Sequence, residues 1–476
     1  MTGTATTSPR SAKRFLVKLT AVATLGGFLF GYDAGVISGA LLYLQEDLQM
    51  TALQEGVVVS CLLFGAMFGA LGGGKVADAI GRRWALILCA ATLSIGALGS
   101  AFAPSYELLV VARVLLGLGV GGASVTVPVL LAELAPAERR GRIVTINELM
   151  IVTGQFMAFV MNSLIDQLIQ DTHAWRWMLG VAVVPAVAML AGMSVLPDSP
   201  RWYALKGRLS DARRVLEMSR TQAEAESEYN IVVEHAEKKV ERGAALHELR
   251  KFPWMRRLLW IGMGIAIASQ LTGVNTIFYF APTILASTGV GSSAALALSI
   301  AVGAVSIVST LFGIWLLGRY NNRPLLLTGY YGIAISLATI ALVFLLPDSL
   351  FRTFAVLGGM ILFMFFMQCF VGIGTWLLLS ELFPMAIRGF AMGVSVFCLW
   401  TTNTILSFSF PMLNATLGGT GVFGILAVIN LITTVLIIRF LPETKGRTLE
   451  QFEEEYAERH GGEPSILPSV SSNHPS

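Results

Sequence analysis

Two ionisable residues lie inside long apolar runs of this chain, where charge is expensive and usually functional. Asp33 falls within LGGFLFGYDAGVISGALLYL, and Arg113 within YELLVVARVLLGLGVGG. An Asp beside an Arg can hold a proton in one arrangement and release it in another. Removal from water favours the neutral carboxyl, and a nearby cation favours the ionised one. The same two residues can also form a fixed salt bridge, and their types leave both readings open. A second set is uncharged: Gln155, Gln270, Asn275 and Asn403, with Asn162 and Tyr279, also sit in apolar stretches. An amide both donates and accepts hydrogen bonds, which suits pairs of hydroxyls. Trp376 and Trp400 offer apolar faces against which a ring can stack. Amides in such places also act as glue between helices.

A third set is ionic and repeated. ELAPAERRG at 133–141 and ELFPMAIRG at 381–389 share the frame Glu-Leu-x-Pro-x-x-x-Arg-Gly. The charges they carry include Glu133, Arg140, Glu381 and Arg388. GKVADAIGRR at 74–83 adds Asp78, Arg82 and Arg83; its counterpart GRYNNRPL at 318–325 has Gly318 at the carboxylate position. Such a cluster can pair in one state and separate in another, as a latch, or simply anchor helix ends at lipid headgroups. PDSPR at 197–201 and PETKGR at 442–447 form a further echo between the halves. The four cysteines, Cys61, Cys89, Cys369 and Cys398, lie in apolar runs without metal spacing and read as small buried hydrophobes. There is no phosphate-binding loop and no nucleotide motif. No metal, cofactor, nucleic-acid partner or covalent catalysis is therefore expected, and the chain does not read as an enzyme.

The elements that must position these residues follow from composition. Only 13% of residues are charged and 55% are hydrophobic, about half the charge of a soluble domain. The apolar runs approach the roughly 20 residues a helix needs to cross a bilayer. Twelve spans are expected, near 15–40, 54–77, 84–103, 107–132, 144–166, 176–196, 257–287, 295–317, 324–346, 353–380, 389–413 and 419–441. This is an all-α membrane protein of two six-helix halves. Its parts are a cytoplasmic N-terminus (1–14), a first bundle (15–196), a cytoplasmic helical linker (197–256), a second bundle (257–441) and a cytoplasmic tail (442–476). The first run is too long for a cleaved secretory signal. All but three of the 33 Lys and Arg, namely Arg113, Arg176 and Arg352, fall on one side of this arrangement; that side is cytoplasmic by the positive-inside rule. In the linker, Ser210 is an expected N-cap. In the tail, Thr448 with Gln451 resembles a capping box. Asp33 and Arg113 lie at similar depths, roughly 10 and 9 Å from the outer ends of their spans at 1.5 Å per residue. Equal depth permits them to pair.

Two parallel six-span halves are the architecture of transporters that rock about a central site. Over residues 15–458 the chain resembles the sugar porter family of the major facilitator superfamily. The resemblance rests on GYDAGVISGA (31–40), GKVADAIGRR, RVLLGLGVGGASVTVPVLLAELAPAERRG (113–141), PDSPRW (197–202), QLTGVNTIFYFAP (270–282), TWLLLSELFPMAIRG (375–389) and PETKGRT (442–448). Within the family, NELMIVTGQ (147–155) looks most like the bacterial myo-inositol/proton symporters. The resemblance implies proton coupling at the Asp of GYD, with Asn there in passive uniporters. It also implies sugar contact at Gln155, Gln270, Asn275, Trp376 and Asn403. The chain departs from the family at Ser269, where a first glutamine is usual, at Phe280 for a second Tyr, at Ser306 for an amide, and at Gly372-Ile373 for Gly-Pro. These changes put the common hexose and pentose pose in doubt and fit a differently shaped polyol.

The expected function is a proton-coupled symporter importing a small polyol or sugar through the plasma (inner) membrane. Myo-inositol is favoured, then a pentose or hexose, and a monomer suffices. A passive uniporter of the same fold is the main alternative, against which Asp33 argues. A non-transporting sugar sensor would be expected to carry a longer tail. A drug antiporter would be expected to line its path with acids and aromatics rather than amides.

Overall fold

The structure, a computed structural model, describes residues 9–169, 171–237, 244–317, 319, 322–384 and 387–441. Every regular element among them is helical. The first half comprises α1 (Pro9–Ala23), α2 (Leu25–Asp47), α3 (Ala52–Ile80), α4 (Arg82–Ala101), α5 (Tyr106–Leu134), α6 (Ala137–Leu168), α7 (Ala174–Gly180) and α8 (Val183–Val195). Four short helices follow: α9 (Pro200–Leu205), α10 (Leu209–Ser219), α11 (Gln222–Glu237) and α12 (Ala244–Lys251). The second half comprises α13 (Pro253–Leu271), α14 (Val274–Ala286), α15 (Ser292–Leu317), α16 (Asn322–Val343), α17 (Leu350–Phe366), a π-helical turn at Met367–Gly372, α18 (Ile373–Leu382) and α19 (Arg388–Phe440).

Among the described residues, eleven stretches are long and apolar enough to cross a membrane, the last running over Arg388–Arg439. At 52 residues it is far longer than one crossing needs. It reverses at Gly418, whose φ of 64° and ψ of 179° suit only glycine. It therefore holds two crossings, and the total is the expected twelve. Gly273, at φ 83°, likewise separates α13 from α14 within one crossing.

Close backbone contact organises the first half. Gly27, Gly31, Gly35 and Gly39 recur every four residues and so share one face of α2. Any side chain on them would overlap Asn147, the Ile151 carbonyl, Gln155 with Ala158, and Asn162 of α6. Gly117 and Gly121 of α5 meet Leu62 and Ala66 of α3 in the same way. Small residues let helices approach closely where lipid gives no hydrophobic drive for association.

The linker helices pack on the first half. Arg220 donates to the carbonyls of Leu134 and Ala135, each at 3.2 Å, and pairs with Glu228. It thus takes up carbonyls that the C-terminus of α5 leaves free. The expected N-cap at Ser210 is not used: α10 begins two residues earlier than that cap implies, after Arg208, and no side chain caps it. The Thr448–Gln451 box lies outside the described residues.

The halves meet along α3–α19, α6–α15 and α2–α14. At the end away from the linker, Gly56 of α3 touches the Phe408 backbone of α19, and Phe159 stacks on Phe278 with centroids 6.4 Å apart. At the linker end, a methyl group added at Gly72 or Gly74 of α3, or at Gly389 or Gly393 of α19, would meet nothing within 4 Å. The described contacts between α3 and α19 thus run from the far end as far as Met67 and Thr401, 3.4 Å apart, and the space beside the four glycines at the linker end is open.

Gly31→Ala is expected to lower the thermal unfolding midpoint in detergent, because overpacking costs about 1–3 kcal/mol. Gly264→Ala, which adds a methyl with nothing within 4 Å, is expected not to lower it. Equal midpoints for the two variants would contradict the packing account.

Candidate functional site

The glycine stripe sets the direction of Asp33. Gly31 faces α6, and Asp33, two residues on, lies about 200° further round the helix. It points toward α5, where Arg113 Nη2 is 3.5 Å from Asp33 Oδ2. Both are buried, at 3% and 1% exposure. Arg113 Nε donates to the Val58 carbonyl at 2.9 Å, whereas Nη1 has no partner. The pair is therefore loosely hydrogen-bonded, and each buried charge depends on the other for compensation. The depth expected for Asp33 needs correction. α2 continues to Asp47, so Asp33 lies about 21 Å from the far end of its helix at 1.5 Å per residue. The polar extension is held by Tyr43 donating to Asp166 and Gln45 donating to Glu55.

The uncharged set gathers near the middle of the halves. Gln155 is 5% exposed and its Oε1 has no hydrogen-bond partner. Asn275 Nδ2 donates to Gln270 Oε1 at 2.7 Å across the Gly273 break. The Phe159–Phe278 stack sets the register: Gln155 and Asn275 each lie about one turn toward the linker from it. Tyr279 meets Asn403, whose Oδ1 accepts from Ser407 at 3.1 Å. Trp400, one turn from Asn403, meets Phe30 of the first half edge-on at 5.5 Å. Trp376 is 40% exposed, beside a buried Thr375 hydroxyl with no partner. Asn162 donates to the carbonyls of Gly35 and Val36, which is helix-to-helix glue. Ser269 and Ser306 donate to carbonyls of their own helices at 2.8 and 2.9 Å. A hydroxyl engaged that way has given its proton to the backbone and can only accept from a ligand.

The charged cluster forms in part. Arg82 Nη2 is 3.0 Å from Asp78 and Nε is 3.1 Å from Glu133. Arg83 does not join them: it turns to the carbonyls of Met193 and Ser194 at the end of α8, which a helix C-terminus leaves open to a cation. Arg388 donates to the Phe383 carbonyl at 3.2 Å. The side chains of Arg140 and Glu381, and Gly318, lie outside the described residues.

Asp198 is a member that the repeat alone does not single out. Its Oδ1 accepts from the backbone of Arg82 at 2.9 Å and of Ser199 at 2.8 Å, closing the start of α4. Burial pushes its carboxyl above the ordinary range; hydrogen bonds from Ser199, Arg83 and Arg82, and the Arg82 charge, pull it back. The available signal was PDSPR itself. Glu148, inside NELMIVTGQ, is also missing from the expected set, although its spacing of seven from Gln155 places the two on one helix face.

The family model described as "Sugar (and other) transporter" matches residues 19–456. The major myo-inositol transporter IolT of Bacillus subtilis (strain 168) is 44% identical over 453 residues, 94% of this chain and 96% of that one. The galactose-proton symporter of Escherichia coli (strain K12) is 35% identical over 450 residues, 93% and 95% of the two chains. A partially occluded inward open conformation of the xylose transporter XylE from E. coli superposes with a TM-score of 0.80 at 27% identity, covering 91% of this chain and all of that one.

Asp198→Ala leaves two backbone donors without their acceptor and is expected to destabilise by about 2 kcal/mol. Asp198→Asn keeps one acceptor oxygen and is expected to cost less. Thermal melts of the purified variants check the order; Asn at least as damaging as Ala would overturn the capping account.

Proposed function

Because the chain belongs to the family of sugar (and other) transporters, we propose that it is a proton-coupled symporter that imports a small polyol, with myo-inositol first and a pentose or hexose second. Sugar transport is the activity of its relatives, and the chain is a transporter rather than an enzyme. In this reading the bundles 15–196 and 257–441 rock against each other, joined by 197–256. Residues 1–14, the linker and 442–476 face the cytoplasm, on the side that holds nearly all Lys and Arg. The conformation seen, open at the linker end, is then inward-facing. The shape and sequence likeness to XylE in an inward open form agrees with that.

The observation that carries the coupling is the buried, loosely held Asp33–Arg113 pair. When the two are together, the carboxylate is compensated and needs no proton. When α2 and α6 shift against α5 as the halves rock, the pair separates; a bare carboxylate in a low-dielectric interior is costly, and a proton from the accessible side relieves the cost. Proton uptake is thereby tied to conformation. The substrate reading rests on the amides. Gln155 has a free acceptor, and Gln270, Asn275 and Asn403 donate and accept within reach of one level of the fold. Trp376 and Trp400 supply apolar faces. Tyr279 orients Asn403. Ser269 and Ser306 give their protons to their own helices, so neither offers the donor that an amide there would, and the altered pose favours a cyclitol. The 44% identity to a myo-inositol transporter points the same way. The charges at Asp78, Arg82 and Glu133, with Arg140, Glu381 and Arg388, serve as the cytoplasmic latch; Arg83 supports it from α8.

Uptake into proteoliposomes tests this, with labelled myo-inositol, xylose, arabinose and glucose, each with and without an inward proton gradient. Concentrative uptake of myo-inositol, abolished in Asp33→Asn while exchange survives, is the expected result. Uptake that only equilibrates and ignores Asp33 would leave a uniporter. In the same assay Gln155→Leu is expected to weaken substrate affinity about tenfold, the loss of one buried hydrogen bond, with dependence on the gradient intact.

A further inference from the structure

Glu148 is a carboxyl inside a membrane-spanning helix, the crossing at Thr145–Leu168, and the pair Asp33–Arg113 does not involve it. The exposed apolar residues of that crossing, Met157 at 37%, Leu164 at 46% and Leu168 at 81%, mark its lipid-facing side. At about 100° per residue they lie 160–180° round the helix from Glu148. Glu148 therefore points inward, along the line of Val152, Gln155 and Phe159. Those three are buried, at 6%, 5% and 1%, where the second half covers them: Gly303 of α15 packs on Phe156 and Phe159. Glu148 continues the same face toward the linker end, where the halves part, and is only half-buried.

No described hydrogen bond or ion pair reaches it. The helices packed on α6 supply no counter-charge near it. α2 passes with apolar residues at Leu25 and Phe28, and its Asp33 is turned to Arg113. α15 contains no titratable residue. On α5, Glu133 is engaged with Arg82 and Arg113 with Asp33. On α7, Arg176 donates to the carbonyls of Ala101 and Ala103 at the far end. On its own helix, Arg139, Arg140 and Arg142 precede it by six or more positions, with side chains outside the described residues. Asp166, at the other end, accepts from Tyr43.

We infer that Glu148 is a second proton-exchanging group, which must be neutral before the halves can close at the linker end. The inference rests on the alternating-access reading above. Closure would lay the second half over the lower part of this face as it now lies over the upper part. An unpaired carboxylate buried there would be a bare charge in a low-dielectric interior. Taking a proton from the linker side removes the charge, and reopening allows its release to the same side. The exchange moves no proton across the membrane; it makes the closing step respond to pH on the linker side, independently of Asp33.

The experiment places spin labels at Gly74→Cys and Gly393→Cys, on α3 and α19 at the parted end, in a background without the four native cysteines. Their separation is measured by pulsed electron resonance in nanodiscs from pH 5.5 to 8.5, in otherwise wild-type protein, Glu148→Gln, Glu148→Asp and Asp33→Asn. The ratio of closed to open populations is expected to fall with rising pH by up to about tenfold per unit, the limit for one coupled proton. Glu148→Gln is expected to flatten that component and favour closure at high pH. Glu148→Asp should restore it, and Asp33→Asn should retain it. An unchanged pH response in Glu148→Gln overturns the inference while leaving transport intact, as does a wild type without pH response. A single distance at every pH, with and without myo-inositol, would overturn the rocking reading and this inference together.

Discussion

Close contact between backbones in the first half is the constraint on which the site depends. A bilayer offers no hydrophobic drive for helices to associate, so they are held by packing and by the polar groups they satisfy for each other. The stripe Gly27, Gly31, Gly35, Gly39 lets α2 lie directly on α6, and α3 and α5 meet through Gly117 and Gly121. With α2 locked in rotation, Asp33 can face only α5. With α6 locked, Gln155 and Glu148 can face only the second half. One packing decision thus assigns the charge pair to the interior of the first bundle and Gln155 to its inner surface.

The second half is built to the opposite principle. Its helices are interrupted where its polar residues cluster. Gly273 breaks the crossing between Gln270 and Asn275, which bond to each other across the gap. A π-helical turn at Met367–Gly372 precedes Trp376, in the place where family members commonly carry Gly-Pro. A π turn is a frequent mark of function within a helix, and here it supplies the irregularity without proline. The Gln270–Asn275 pair sits on an interrupted crossing, and the Asp33–Arg113 pair sits on continuous helices.

Much of this was legible in the sequence because the bilayer imposes a coarse, length-based code. Runs near 20 residues announced the crossings, and even the last two, fused in one helix, were separable by their hydropathy and glycines. Depth along a helix was less legible. The end of the first crossing was set by hydropathy at residue 40, yet the helix continues to Asp47 because Tyr43 and Gln45 find polar partners on neighbouring helices. Such partners are tertiary facts with no local signature. Arg83 shows the same limit: adjacent to Arg82 in the motif, it points about 100° away on the helix and caps α8 instead. Asp198 was visible as a repeated motif but not as a cap, since its partners, Arg82 and Ser199, are brought together only by the fold.

The linker-end charges carry the asymmetry of the halves furthest. Asp78, Arg82, Glu133 and Asp198 belong to the first half and its exit, and they are already joined while the halves are parted. Arg220 ties the linker to the same corner through the end of α5. A network intact in the open state cannot by itself drive closure. It can only present a preformed surface, and the difference between states must come from what the second half brings to it. There Gly318 stands at the position that Asp78 holds in the first half's motif, so the second half has an acid fewer to offer. In the proposed latch, unequal halves hold less strongly, and a weakly held closed state is one whose population small terms decide. The protonation of a single inward-facing carboxyl is a term of that size.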